Sequence, residues 1–203
     1  LDDRQQLPIL AFFREGANRL ALGRALELDT QAVQALGERL VTLQLAEDRG
    51  HGHLWIDPAL SQHLSSHLNG TQRTTWRARW RSGMEYLLQM LYQQYFKDNT
   101  RTLRLLRLEL GNLLALLRDS QHQSEPERTA QLASRLEQLF ANLGTPKALA
   151  EVTAARERAG LALQGWSRAR FDTERLRIER LRDESALDEA LRAARHLLRQ
   201  TQD

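Results

Sequence analysis

"EDRGHGHLWIDPALSQHLSSHL", residues 47 to 68, changes character twice. Gly50 and Gly52 supply turn residues on either side of His51, and Leu54, Trp55 and Ile56 follow as a short apolar run. That order predicts a small β-hairpin. Asp57 followed by Pro58 then predicts a helix start, because aspartate accepts hydrogen bonds from first-turn N–H groups and proline suits the first helical position. Leu60, Leu64 and Leu68 form the expected core-facing stripe of that helix. The same stretch holds four of the six histidines, His51, His53, His63 and His67.

Outward from the hairpin the pattern turns helical. Thr30 to Leu45 carries Val33, Leu36, Leu40 and Leu43 at spacings of three and four, with Asp29 or Thr30 as a cap, which predicts an amphipathic helix. Leu7 to Phe13 and Leu20 to Leu28 predict two shorter helices with Gly16 punctuating between them. Three short helices, a hairpin and a closing helix within residues 1–70 follow the order of a winged-helix domain.

Residues 71–203 show no further hairpin signal. Trp76, Trp80, Met84, Leu87, Leu88, Leu91 and Tyr95 fall on one helical stripe, and Leu103 to Leu117 forms a second after the Asp98-Asn99-Thr100 break. Ser124 with Glu127 fits a capping box around Pro126. Gly144-Thr145-Pro146 ends one helix and begins the next, and Ser185 with Asp188 signals a further start. About six helices joined by short loops predict antiparallel α-hairpins. "ALAE" at Ala148 recurs as "ALDE" at Ala186, a weak internal repeat compatible with stacked helix pairs. The expected fold is mainly α, a winged-helix-like domain over 1–70 followed by a helical-hairpin, tetratricopeptide-like domain over 71–203.

Composition limits the function classes. Of 203 residues, 41% are hydrophobic and 27% charged, the balance of a chain that folds around a core. Without cysteine, disulfides and thiolate chemistry are excluded, and a reducing cytoplasm is the natural compartment. No apolar run is long enough to span a membrane, and there is no secretory leader pattern. The start at Leu1 rather than at methionine suggests an excerpt from a longer polypeptide. Residues 1–70 hold six arginines against nine acids, a net of −3, while the remaining 23 bases and 17 acids give +6.

These residues resemble a known family. "LPILAFF", "LGRALELDTQAVQALGERLVTLQLAE" and "GHLWIDPALSQHL" together look like the winged-helix segment that follows the nucleotide-binding core of bacterial signal-transducing STAND ATPases. "RLELGNLLALLR", Arg107 to Arg118, is similar to the pattern that opens the helical arm of those proteins, here Glu109, Asn112 and Leu113. "ERAGLALQGWSRARF" and "ALDEALRAARHLL" resemble tetratricopeptide-like arm helices. The resemblance implies a winged helix that packs on a nucleotide domain and relays its state, and an arm that receives a protein or small-molecule signal. No G-x-x-x-x-G-K-[ST] loop occurs to cradle a phosphate, so this chain is expected to bind no nucleotide cofactor and to catalyse nothing itself.

Candidate sites follow. An acidic domain offering Gln31, Gln34, Arg39 and Gln44 on its third helix gains little from counterion release, so DNA reading there is disfavoured. The basic cluster Arg73, Arg77, Arg79 and Arg81, with Trp76 and Trp80 interleaved, is the alternative nucleic-acid candidate, by phosphate contact and base stacking, with Arg73, Arg77 and Arg81 as its site residues. The same tryptophans continue the stripe expected to be buried. No G-x-S-x-G turn or H-E-x-x-H helix occurs to arm a hydrolase. His51, His53, His63 and His67 could hold zinc only if three or four converged, and the competing reading makes them surface histidines on a wing and a helix edge. Tyr92, Tyr95, Phe96 and Trp166 are the candidate protein-binding residues, with hairpin-interface packing as the alternative. The leading expectation is a non-catalytic regulatory and protein-interaction segment of a larger ATPase. A nucleic-acid-binding regulator and a free-standing helical-repeat adaptor stand behind it.

Overall fold

The computed structural model describes residues 6–163 and 166–200, and they are mainly helical with one small antiparallel sheet. The chain divides into two compact units, Leu1–Leu116 and Leu117–Asp203, each taken here by itself.

In the first unit a 3₁₀ turn, Leu7–Phe12, leads into β1, Gly16–Asn18. Helix α1, Arg19–Leu26, starts where the Asn18 side chain accepts the Leu20 N–H at 2.9 Å. Helix α2, Thr30–Thr42, is capped as expected by Asp29, which accepts the Ala32 N–H at 2.7 Å. The hairpin forms where the glycines predict it. β2, Ala46–Asp48, and β3, His53–Ile56, are joined by Gly50, His51 and Gly52, all with left-handed φ, +78°, +52° and +78°. β1 pairs with β3 on its other edge, Ala17 opposite Leu54, giving the sheet order β1-β3-β2. This third strand replaces the helix break expected at Gly16.

Helix α3, Pro58–Ser66, is capped by Asp57, which accepts the Ala59 N–H at 2.8 Å. Its Leu60 and Leu64, with Leu68 just beyond, are half-buried only, so the predicted core stripe of this helix is a rim. Helix α4, Gly70–Tyr95, opens with a full capping box between Asn69 and Gln72. Trp80, Gly83, Met84, Leu87, Leu88 and Leu91 are its buried face, packed on α1 and the 3₁₀ turn. A Cβ on Gly83 would lie 2.3 Å from the Ala21 carbonyl oxygen, so α4 and α1 meet backbone to backbone. This contact moves the boundary expected after residue 70. The stripe along α4 completes the core begun by Ile9, Leu10, Leu22 and Ala25, and the units part at Leu116 and Leu117, within α5, Asn99–His122.

In the second unit, α6, Pro126–Phe140, packs against α7, Pro146–Ala162, and against α8, Arg168–Asp183; α8 packs in turn against α9, Leu187–Gln200. Among the described residues six helices follow residue 69, as the loop spacing predicts. Ala130, Ala159 and Ala169 form a small-residue cluster where α6, α7 and α8 converge. Buried Arg156 ties three helices together by binding the Glu137 carboxylate and donating to the Thr173 carbonyl at 2.8 Å. Gly144 has φ +76° and Pro146 occupies the first turn of α7, as expected. Two predicted caps differ. Ser124 is left-handed at φ +55°, and the N-cap of α6 is Glu125, which makes no side-chain cap bond. Ser185, φ +63°, closes α8, because its N–H goes to Arg182 O and the next N–H to Leu181 O.

Candidate functional site

The most specific polar arrangement in the first unit is built around His53. Position 53 opens β3, the central strand, and its imidazole is 3% exposed. Glu109 and Asn112 stand three apart on α5, hence on one face. They lie between buried Leu106 and Leu113, and both are fully buried. His53 Nδ1 lies 2.6 Å from Glu109 Oε1. With Glu109 as a carboxylate, which can only accept, the pairing assigns the proton to Nδ1. Glu109 Oε2 accepts from Asn112 Nδ2 at 2.9 Å, and the same amide nitrogen donates to the Gly16 carbonyl at 2.9 Å. Asn112 Oδ1 accepts the Arg14 N–H at 2.6 Å.

Each member therefore has a defined role, and the amide can point only one way. A Cβ at Gly16, where φ is +151°, would fall 2.5 Å from His53 Nε2 and 2.4 Å from the Leu54 carbonyl oxygen. Glycine is what lets β1 lie over the imidazole. The network thus clasps three segments: the strand of the hairpin, the approach to β1, and α5. Buried this deeply, the histidine and the carboxylate tie their segments together as a latch.

Beside the latch lies a cleft of about 430 Å³ between the start of α1, the hairpin turn, α4 and the start of α5. Leu87, Met90, Leu91 and Leu105 supply its apolar wall; Arg19, His51, Asp98 and Arg101 lie along its polar side. Arg19 is held by Asp48 at 2.9 Å. The Gly50 N–H and then Arg19 hold the Asp48 carboxyl below its ordinary value.

The four histidines separate. His51 sits exposed in the hairpin turn and His53 points inward, so the expectation of surface histidines fails for His53. His63 and His67, exposed at the end of α3, have ring centroids 4.4 Å apart and tilted by 52°, and His67 Nδ1 lies 2.8 Å from the His63 carbonyl. Among the described residues no three metal-ligating side chains converge.

Of the aromatic candidates, Tyr92, Tyr95 and Phe96 cluster at the end of α4, with Phe96 edge-on to both tyrosines at 5.4 and 5.5 Å and 70% exposed. Trp166 belongs to the second unit and meets Phe171 edge-on at 6.3 Å. Among the basic candidates, Arg73 donates to the Ser65 carbonyl at 2.8 Å and so finishes α3; Arg77 is exposed and Arg81 half-buried. Trp80 is buried, whereas Trp76 is half-buried with Arg79 over its ring at 5.2 Å.

The sequence motif around Glu109 and Asn112 was visible, but their partner was not. Two polar side chains inside a leucine stripe are the signal that the stripe covers something polar. No family profile matches the chain, and neither a curated protein nor a solved structure is significantly similar to it.

Proposed function

We propose that the chain is a non-catalytic regulatory segment of a larger signal-transducing ATPase of the STAND type, with a winged helix that relays state and a helical arm that senses a partner or ligand. Support for the winged helix comes from the element order: 3₁₀ turn, β1, α1, α2 and the β2–β3 hairpin, with the first strand added beside the third. Support for the arm comes from the order in which α6 to α9 pack, each hairpin against the next.

The observation that carries the reading is the latch. Glu109 and Asn112, the residues on which the resemblance to the opening of a signalling arm rests, hold His53 of the hairpin and the backbone at Arg14 and Gly16. A hairpin displaced by a neighbouring domain would have to move α5 with it or break the latch, which is what a relay requires. Partners would be a protein and the nucleotide-binding domain of the parent chain, in the cytoplasm.

Cloning the reading frame upstream of Leu1 tests the proposal: a phosphate-binding loop in that frame is expected, and a frame without one refutes it. In the parent protein, Glu109→Gln should change the dependence of ATP turnover on the signal while the nucleotide affinity stays within twofold. A parallel loss of both would mean that the latch only keeps the protein folded.

A further inference from the structure

Helix α9 carries two apolar stripes. Ala190 and Leu197, 7% and 9% exposed, belong to the stripe that faces its own unit, where α9 packs on α8. Leu187, Leu191 and Leu198 are 64%, 51% and 58% exposed, and with half-buried Ala194 they run at spacings of four, three and four. That spacing is the a/d seam of a helix pair. A seam this open on a helix already packed on one side marks an interaction surface.

We propose that this surface pairs with α9 of a second copy of the chain, antiparallel across a two-fold axis. Charge order along the helix selects the occupant. Asp188 and Glu189 lie in the first turn, and Arg195 and Arg199 toward the end. A parallel second helix would set acid against acid and base against base. An antiparallel one sets Leu187 opposite Leu198, Leu191 opposite Ala194, and Asp188 beside Arg195 of the second copy. Two-fold symmetry makes that ion pair twice. Neither Asp188 nor Arg195 has an ion pair with another described side chain, so both are available for it. Ala194 at the middle of the seam lets the two backbones approach. One 14-residue helix from each copy makes a small interface, so the pair should form in the micromolar range and dissociate on dilution.

Sedimentation equilibrium of the 203-residue chain tests this. The mass should rise with concentration from 23.4 kDa to twice that value. Leu191→Glu should abolish the rise with the circular dichroism spectrum unchanged. Asp188→Arg and Arg195→Asp should each weaken association about tenfold, and the double variant should recover it. The chain lacks cysteine, so Leu191→Cys mixed with Ala194→Cys should give an oxidised heterodimer, while Leu187→Cys alone should give little. Strong self-linking of Leu187→Cys would mean a parallel pair and overturn the proposal. A mass of 23.4 kDa at every concentration would overturn it too, as would a dimer indifferent to Leu191→Glu or a double charge swap no better than the single ones. Association absent here, with α9 amides shielded from exchange only in a longer chain, would assign the surface to residues after Asp203 and equally refute a second copy.

Discussion

Truncating Glu109 should destabilise the first unit more than any exposed acid in it. Glu109→Ala removes both carboxylate oxygens from a site with no exposure, leaving His53 Nδ1–H at 3% exposure without its acceptor and Asn112 Nδ2 with only the Gly16 carbonyl. A buried hydrogen bond to a charged group contributes about 1.5–3 kcal/mol and a neutral one about 1 kcal/mol, and stranding the remaining partner brings the cost of breaking a buried pair to about 3–5 kcal/mol. Glu109→Gln keeps the shape and one acceptor for His53 but turns an amide donor toward the Asn112 donor, so its cost should be intermediate, about 1–2 kcal/mol. Glu38→Ala, on the exposed face of α2 where the carboxylate accepts from Gln34, should fall within about 0.5 kcal/mol of the unaltered chain. Tryptophan fluorescence during urea unfolding suits the measurement, because Trp55, Trp76 and Trp80 report the first unit and only Trp166 the second. The expected order of midpoints is Glu38→Ala, then Glu109→Gln, then Glu109→Ala lowest. Equal midpoints for Glu38→Ala and Glu109→Ala would refute the latch as a stabilising element.

Gly83→Ala should cost about 1–3 kcal/mol by urea titration, although alanine normally favours a helix by about 1 kcal/mol over glycine, because the added methyl meets the Ala21 carbonyl; a stabilised variant would contradict the close α1–α4 approach. Asp48 is held below its ordinary value of 3.8, so the stability it contributes is present above that pH and fades as pH falls through the lower folded value. Asp48→Asn should therefore flatten the acid limb of a stability–pH curve, by a small amount because the side chain is 45% exposed; an unchanged slope would contradict the Gly50 and Arg19 contacts. Zinc and a chelator should leave the melting temperature unchanged, since among the described residues no three metal-ligating side chains converge; a rise of several degrees with zinc would restore the metal reading.

What was legible in the sequence was local. The Gly50 and Gly52 turn, the Asp29 and Asp57 caps, the Gly144 to Pro146 junction and the Trp80 to Leu91 stripe each depend on residues within a few positions of one another, and each appears where expected. What escaped depends on distant partners. Gly16-Ala17-Asn18 has neither length nor alternation to declare a strand; it becomes one because β3 offers a free edge. His53 is interior because of a glutamate 56 residues away, and no periodicity in either segment reports that pairing. The division at Leu116 and Leu117 rather than near residue 70 has a related cause: a long amphipathic helix says that it will be buried, not against which elements. Ser124 and Ser185 were assigned caps by type, whereas both adopt the left-handed geometry usual for glycine or asparagine.

The latch also constrains how the sequence can change by descent. Asn112 must offer a donor to Gly16 and Glu109 and an acceptor to Arg14 at once, so aspartate or leucine at that position each leaves a buried backbone group stranded. Gly16 can gain no side chain while the ring of His53 lies against it, and His53 cannot be lost without orphaning Glu109. Four positions spread over almost a hundred residues are therefore coupled physically: a substitution at one strands a buried partner at another unless that partner changes too.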